Sequence, residues 1–150
     1  MKRNSGYIRD GRAPIPKNAV TSKIMSAIRA KNTKPEMILR KALVKNGLIG
    51  YRLHPKNVPG RPDVCFTKKK IAIFVHGCYW HRCPHCEPSM PKTHIKFWKD
   101  KFERNKQRDI IKAEQLKKMG WKVCILWECD VKKDRIVCSK RIQRLLGKGI

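Results

Sequence analysis

Acidic residues are scarce in this sequence. Its 150 residues include 11 Asp and Glu against 37 Lys and Arg, for a formal net charge of +26. So basic a chain repels itself unless it meets a polyanion, and release of counterions from a phosphate backbone is the usual compensation. The shortage of acids therefore favours a nucleic acid as the partner. A membrane surface is disfavoured, because no basic amphipathic helix with a wide apolar face stands out.

Long apolar runs are also missing. The longest runs, such as residues 71–75, are far too short to cross a bilayer, and no charged and then apolar leader opens the chain. We therefore expect the seven cysteines in a reducing cytoplasm, where clustered cysteines indicate a metal site or chemistry more often than disulfides. The hydrophobic content of 41% suffices for one domain with a core.

After a short helix over 21–30, the residue pattern predicts the element order α-β-β-β-loop-α-β-α. Helices are expected over 21–30, from a cap at Thr33 to near Gly47, over about 96–119 and over 133–146, and strands over 51–54, 62–66, 71–76 and 121–127. Three consecutive strands and a helix that crosses to a fourth indicate an α/β fold with a mixed central sheet flanked by helices. Residues 1–20 are expected to form a flexible basic arm, and residues 21–150 a single domain.

Two acidic residues are candidates for chemistry. Asp63 follows Gly60-Arg61-Pro62 at the start of a predicted buried strand. A Pro-Asp pair ordinarily marks a turn, but a carboxylate at a strand end beside a nucleic-acid groove is also how many phosphodiesterases hold Mg²⁺. Glu36 has a structural explanation as the capping-box glutamate of Thr33-Lys34-Pro35-Glu36. The same carboxylate can also contact a water or an imidazole.

Residues 75–86 (VHGCYWHRCPHC) hold three cysteines and three histidines. A thiol-exchange role for the C-P-H-C part is disfavoured, because a helix that begins there would meet a proline within two turns. Cys78, Cys83 and Cys86 are instead close enough for one tetrahedral zinc ion. Cys129, just past a predicted strand, is the favoured fourth ligand, and His85 is the alternative. Cys65 and Cys124 lie in predicted strands, and we expect them to be small core residues. Cys138 lies in the last predicted helix, either in the core or at the surface.

Two histidines lie on either side of Cys78. His76 closes a predicted buried strand, and His81 follows five residues later. Imidazole titrates near neutrality, which suits it to take a proton from water and to give one to a leaving oxygen. Between the histidines, Tyr79 and Trp80 are expected either to pack in a core or to wedge between bases.

A series of short motifs follows in one consistent order from about Thr21 to Cys129. The motifs are Gly60-Arg61-Pro62-Asp63, Phe74-Val75-His76-Gly77-Cys78-Tyr79-Trp80-His81, Pro91-Lys92, Phe97-Trp98, Glu103-Arg104-Asn105, Arg108-Asp109, Gly120-Trp121 and Trp127-Glu128-Cys129. Together they resemble the Vsr family, the very-short-patch-repair DNA mismatch endonucleases. The first 20 residues and the last helix lie outside the resemblance.

The resemblance implies a restriction-endonuclease-like fold with a structural zinc loop. It implies an enzyme that nicks one strand of duplex DNA at a T·G mismatch formed by deamination of 5-methylcytosine, with Mg²⁺ as the catalytic and Zn²⁺ as the structural cofactor. The implied roles are Mg²⁺ ligation by Asp63 and the Val75 carbonyl, general base catalysis by His81, assistance in the water and phosphate network by His76 and Glu36, intercalation by Tyr79, Trp80 and Trp98, and zinc ligation by Cys78, Cys83, Cys86 and Cys129.

This sequence departs from the family at two of these positions. The best-known form of the family has a histidine in the zinc position where Cys83 stands, and the loop here is one residue longer. The choice between Cys83 and His85 therefore stays open. Tyr79 stands in place of a phenylalanine, which is a mild change.

Three functions compete at this level. The first is a nicking endonuclease for T·G mismatches, the second a Vsr-like enzyme that nicks a fixed sequence without a mismatch, and the third a non-catalytic zinc-stabilised DNA-binding protein. Asp63, His76 and His81 argue against the third, because a pure binder has no need of them. For the first, we expect a cytoplasmic, nucleoid-associated monomer that works with mismatch-repair proteins and a companion cytosine-5 methyltransferase.

Overall fold

The computed structural model of the chain describes residues 18–26 and 30–147. Its helices and strands are, in chain order, α1 (Ala19–Ser26), α2 (Lys34–Lys45), β1 (Val64–Phe66), β2 (Ile71–His76), α3 (Ile95–Lys118), β3 (Lys122–Trp127), α4 (Glu128–Lys133) and α5 (Arg135–Leu145), with one 3₁₀ turn at Thr67–Lys69. The chain divides into two units, Met1–Ala30 and Lys31–Ile150. Most of the predicted basic arm, residues 1–17, lies outside the described residues. None of the described helices is long and apolar enough to cross a membrane.

The start of α2 follows the predicted cap only in part. Thr33 is the N-cap residue and Pro35 lies in the first turn, as expected. The Thr33 side chain does not accept a bond from the helix, however. Its hydroxyl donates to Glu36 Oε1 at 3.1 Å, and Glu36 Oε2 accepts the backbone N–H of Asn32 at 3.0 Å. Glu36 therefore organises the turn before the helix and is itself held there.

The sheet is mixed, as predicted, but its described part has three strands where four were expected. β2 lies in the centre, antiparallel to β1 and parallel to β3. The strand expected over 51–54 was wrong, since only an isolated bridge pairs Arg52 with Cys65. Gly50 has φ +87 and His54 has φ +47, so the backbone leaves the extended conformation on either side of that one pair. The other three strands lie where the pattern placed them.

Two buried clusters cover the two faces of the sheet. On one face, α2, α4 and α5 pack against alternate strand residues such as Ile71, Ile73 and Leu126. On the other face, Leu116 of α3 packs against Ala72. Side chains of β2 thus alternate between the clusters, as they must in a pleated strand. The α/β class with helices on both faces is confirmed, and three cysteines are core residues: Cys65, Cys124 and Cys138.

The end of the chain has two helices where one was expected. β3 passes directly into α4 at Glu128, and α5 begins after Asp134. Asp134 has φ −152 and ψ 86, and its carboxylate accepts the backbone N–H groups of Ile136 and Val137 at 3.1 and 3.0 Å. An aspartate N-cap of this kind starts a new helix and so separates α5 from α4.

Candidate active site and metal centre

Asp63 lies immediately before β1, where its side chain meets the neighbouring strand. Its Oδ2 accepts the backbone N–H of Val75 in β2 at 2.7 Å. Burial, reinforced by the charge of Glu36, raises the pKa of Asp63 from 3.8 to about 7, although the Val75 bond, Arg40 and His81 act in the opposite direction. A carboxylate that is this costly to ionise favours a nearby cation.

Glu36 and Asp63 are connected by a histidine that the sequence reasoning missed. His54 Nε2 lies 3.4 Å from Glu36 Oε2, and His54 Nδ1 lies 3.6 Å from Asp63 Oδ1. Arg40 pairs with the same carboxylate oxygen, with Nη2 at 3.0 Å from Glu36 Oε2 and 3.3 Å from His54 Nε2. One ligand atom from each of Glu36, His54 and Asp63 lies within 4.8 Å of the others. The sequence does carry a signal for His54, since this histidine ends the segment that pairs with β1. The alternation in that segment predicts only a strand, however, and gives the histidine no role.

His76 and His81 form a second group with another carboxylate. Their rings stack with centroids 4.1 Å apart and planes 9° apart. His81 Nδ1 lies 2.6 Å from Asp109 Oδ2 of α3. Burial, together with the neighbouring His81, lowers the pKa of His76 to about 4, so this imidazole is neutral at physiological pH. The structure thus brings together the two predicted histidines and adds Asp109, to which the sequence pattern assigns no role.

The four cysteines predicted as metal ligands also come together. The sulfur atoms of Cys78, Cys83, Cys86 and Cys129 lie within 4.8 Å of one another, and the Cys83–Cys129 and Cys86–Cys78 pairs are each 3.7 Å apart. A tetrahedron with Zn–S bonds of about 2.3 Å has edges of about 3.8 Å, so the sulfur spacing fits this ion. His85 is not part of the cluster. Its backbone N–H donates to Cys83 Sγ at 3.4 Å.

The environment of the four sulfurs also fits a cation. The backbone N–H of Cys129 donates to Cys78 Sγ at 3.4 Å. Burial raises the pKa of Cys78 to about 11, although hydrogen bonds from Cys129 act in the opposite direction. Because a metal binds thiolates, an ion in this cluster would remove the penalty for ionising them.

The three predicted DNA-contacting aromatics form one group with a fourth ring. Trp80 lies 5.8 Å from Trp98 and 5.1 Å from Tyr79, measured between ring centroids, and Phe102 contacts all three. The Arg82 guanidinium lies 4.6 Å above the Phe102 ring. Trp98 is buried, whereas Tyr79 and Trp80 are half-buried. Phe102 was not anticipated.

The chain has a net charge of +26 and carries three groups of side chains: carboxylates at the sheet edge, a histidine pair supported by Asp109, and a thiol cluster. These are features of a nucleic-acid hydrolase. Comparisons with known proteins agree. A family model described as DNA mismatch endonuclease Vsr matches residues 15–87. The chain belongs to the Vsr family.

Several curated relatives support this membership. The Type II nicking enzyme V.NmeAIP of Neisseria meningitidis serogroup A is 38% identical over 123 residues, which are 82% of this chain and 86% of that protein. The Type II nicking enzyme V.XorIIP of Xanthomonas oryzae is 38% identical over 108 residues, 72% and 79% of the two chains. The DNA mismatch endonuclease Vsr of Escherichia coli K12 is 36% identical over 121 residues, 80% and 76% of the two chains.

Proposed function

We propose that this protein is a Mg²⁺-dependent endonuclease that nicks one strand of duplex DNA at T·G mismatches arising from deamination of 5-methylcytosine. The single observation that carries the proposal is that the Glu36–His54–Asp63 group and the His76–His81 pair lie at the same edge of the sheet, where Asp63 accepts the backbone N–H of Val75 next to His76, in a chain of the Vsr family. The predicted enzyme class, a DNA-nicking hydrolase, is confirmed by the family. A restriction-endonuclease-like fold is the architecture we infer for it.

Asp63 and the carbonyl oxygen of Val75 would hold the Mg²⁺ ion. The fit rests on Asp63, because a half-buried carboxylate whose pKa is raised to about 7 lacks sufficient compensating positive charge. When bound, the ion supplies Lewis-acid stabilisation of negative charge on the phosphoryl group. The bond from Val75 N–H to Asp63 Oδ2 fixes the carboxylate relative to β2 and leaves Oδ1 beside His54.

His81 is the general base of the proposed reaction. An ionised carboxylate only accepts hydrogen bonds, so the 2.6 Å contact with Asp109 places the ring proton of His81 on Nδ1. Nε2 then keeps its lone pair and can take a proton from the attacking water. His76, neutral and stacked on His81, holds the ring plane and assists in the water and phosphate network, as does Glu36.

The thiol cluster is a structural zinc site in this proposal, with Cys78, Cys83, Cys86 and Cys129 as ligands. Zinc there would tie the loop that carries His81 to the start of α4. Four sulfur ligands leave no open position, which is the mark of a structural and not a catalytic zinc site.

Tyr79, Trp80 and Trp98 are the residues that we propose to insert beside the mismatched pair. Two of these rings are half-buried, so part of their surface stays available to a base stack. Expected association with mismatch-repair proteins and a cytosine-5 methyltransferase, the monomeric state and a cytoplasmic, nucleoid-associated location stay predictions.

A second candidate is the same nicking chemistry at a fixed sequence without a mismatch. One observation favours it, namely that relatives 38% identical to this chain are described as Type II nicking enzymes. A non-catalytic zinc-stabilised DNA-binding protein is disfavoured, because the acid and histidine groups would then have no task.

Nicking of matched pairs of duplexes separates these candidates. The protein and Mg²⁺ are incubated with end-labelled duplexes that differ only in T·G against C·G, in several sequence contexts, and nicks are mapped on a denaturing gel. We expect a nick beside the thymine of the mismatch and none in the C·G duplex. Equal cutting of both duplexes would rule out mismatch specificity, and unchanged cutting by Asp63→Ala would rule out the proposed Mg²⁺ site.

A further inference from the structure

A cleft beside the candidate active site carries only cationic and neutral side chains. It has a volume of about 480 Å³ and lies between the loop over residues 56–61 and the C-terminal part of α3. Its charged residues are Lys56, Arg61 and Lys112, and Asn57 and Gln115 add amide groups. Among the described residues, none of the three cations lies within 4.0 Å of a carboxylate. The cleft therefore concentrates uncompensated positive charge.

The shape of this cleft is fixed by close packing of the loop on the helix. Gly60 has φ +77, and a Cβ atom there would lie 3.1 Å from the Phe74 ring and 3.3 Å from Lys112 Cβ. Only glycine allows so close an approach in that conformation. The loop backbone is thus held against α3, and half-buried Lys112 forms one wall of a preformed concavity.

The cleft also lies close to the reacting position. Arg61 is two residues from Asp63, so their Cα atoms are at most about 7.6 Å apart. Successive phosphates on one DNA strand advance by about 3.4 Å along the helix axis. A phosphate one to three nucleotides from a phosphodiester at Asp63 therefore lies at a distance that the cleft can reach.

A neighbouring cleft on α3 is less suited to a phosphate backbone. It has a volume of about 520 Å³ and includes Asp100 and Glu103 together with Arg104 and Arg108. Its two carboxylates repel a polyanion, whereas the cleft at Lys56 and Lys112 contains no acid.

We propose that the cleft formed by Lys56, Arg61 and Lys112 is a phosphate subsite, which binds the DNA backbone one to three nucleotides from the bond to be cut. The inference rests on the proposed function, because it takes duplex DNA as the substrate. The role of the subsite is to hold the DNA strand so that the bond to be cut lies at Asp63, since phosphate contacts position a duplex without reading its sequence.

The salt dependence of DNA affinity tests this subsite. Binding of the full-length protein to a fluorescent matched 20-base-pair duplex is measured by anisotropy between 50 and 200 mM KCl, without added Mg²⁺. Each lost phosphate contact reduces the slope of log K against log salt by about 0.9. For Lys56→Gln combined with Lys112→Gln we expect a slope smaller by about 1.8. The factor by which DNA affinity falls between 50 and 200 mM KCl should then be about twelvefold smaller than in wild type. Lys56→Arg combined with Lys112→Arg should keep the wild-type slope.

Lys133→Gln combined with Lys140→Gln is the matched control. Both lysines are exposed, and they belong to α4 and α5 on the opposite face of the sheet. An equal change of slope in the control pair, or no change in the cleft pair, would overturn the subsite. Nicking of the T·G duplex by wild-type protein is followed in parallel. Absence of binding and nicking in the wild type would refute the proposed function itself, whereas normal nicking with an unchanged cleft slope refutes the subsite alone.

Discussion

Asp109 sets the state of the candidate general base. It lies 28 positions after His81 in the chain, on α3, and its Oδ2 accepts a hydrogen bond from His81 Nδ1–H, with the two atoms 2.6 Å apart. The other imidazole nitrogen, Nε2, therefore keeps its lone pair and can accept a proton. The two residues act as one unit, because neither the tautomer nor the ring orientation of His81 is otherwise fixed by a described hydrogen bond.

Asp109→Asn tests this unit. An amide can present either a donor or an acceptor to Nδ1, so the correct tautomer loses its preference. We expect the single-turnover nicking rate to fall by about 10²–10³-fold while the Kd for duplex DNA stays within about twofold. Asp100→Asn, an exposed aspartate on the same helix, should change neither quantity. A loss confined to DNA affinity would show that Asp109 serves binding and not base catalysis.

Asp63 makes the metal-free protein sensitive to pH. Its pKa is raised from 3.8 to about 7 in the folded state, so the folded protein binds the proton more tightly than the unfolded chain does. Folding stability therefore falls as pH rises from about 4 to about 7, and stays low above that. Each pKa unit corresponds to about 1.4 kcal/mol, which makes the effect on the order of a few kcal/mol.

Asp63→Asn should remove this dependence. In chelator-treated protein kept at a constant zinc content, we expect the variant to be more stable than wild type at pH 7.5. The difference should vanish near pH 4. Urea unfolding at both pH values measures it. A variant less stable than wild type at pH 7.5 would mean that the carboxylate is stabilised, not strained, by its surroundings.

At the level of elements, the parallel strands β2 and β3 bring His76 and the thiol cluster to the same edge of the sheet. His76 pairs with Trp127 at the ends of these strands, so the residues that follow them emerge at the same edge of the sheet. Cys78 follows β2, and Cys129 follows β3 in the first turn of α4. Glu128 also accepts the backbone N–H of Cys78 at 3.2 Å. The cysteine loop is thereby joined to a helix about 50 positions further along.

The zinc proposal predicts the metal content of single variants. We expect one zinc per chain in wild type, and its loss in Cys83→Ser and in Cys129→Ser. Because the ion would connect the loop to α4, its loss should lower Tm by roughly 10 °C. Elemental analysis and a melting curve provide the two readouts.

Two variants serve as controls for the zinc ligands. His85→Ala should retain the metal, because His85 lies outside the sulfur cluster. Cys138→Ala should also retain it, since Cys138 is a buried core residue. Zinc lost from His85→Ala and kept in Cys83→Ser would reverse the choice between these two ligands.

For the whole molecule, charge is the dominant property. A net charge of +26 on 150 residues opposes compaction, because like charges repel more strongly in the folded state. Only a few described ion pairs, such as Arg40–Glu36 and Lys132–Glu128, offset it locally. A bound polyanion therefore offsets the positive charge of the whole protein as well as that near the candidate active site.

Salt should accordingly stabilise the free protein. The Debye length falls from about 10 Å at 0.1 M to about 3 Å at 1 M ionic strength, which screens the repulsion. We expect Tm to rise by several degrees between 0.1 and 1 M KCl, at about 2–4 °C per kcal/mol for a chain of this size. Calorimetry at fixed pH measures this rise. A falling Tm would indicate that attractive ion pairs outweigh the repulsion.

The sequence by itself determined the family, the α/β class and most of the elements. β2 and β3 were predictable because each is a continuous apolar run, and α3 because it is a long polar helix that ends shortly before Gly120. Asp63, the two histidines and the four cysteines stood out by residue type and spacing. Local patterns suffice where the physics is local, as in a continuous apolar run that forms a buried strand.

Only the tertiary structure decided which side chains face one another. The strand expected over 51–54 became a single bridge, and its last residue, His54, instead lies between Glu36 and Asp63. Asp109 joined His81, and the sulfur cluster took in Cys83 but not His85. The contacts of His54, Asp109 and Cys129 join positions 9 to 51 residues apart, and they depend on strand register and helix packing. No local pattern encodes them, since one step in register turns a strand side chain to the other face.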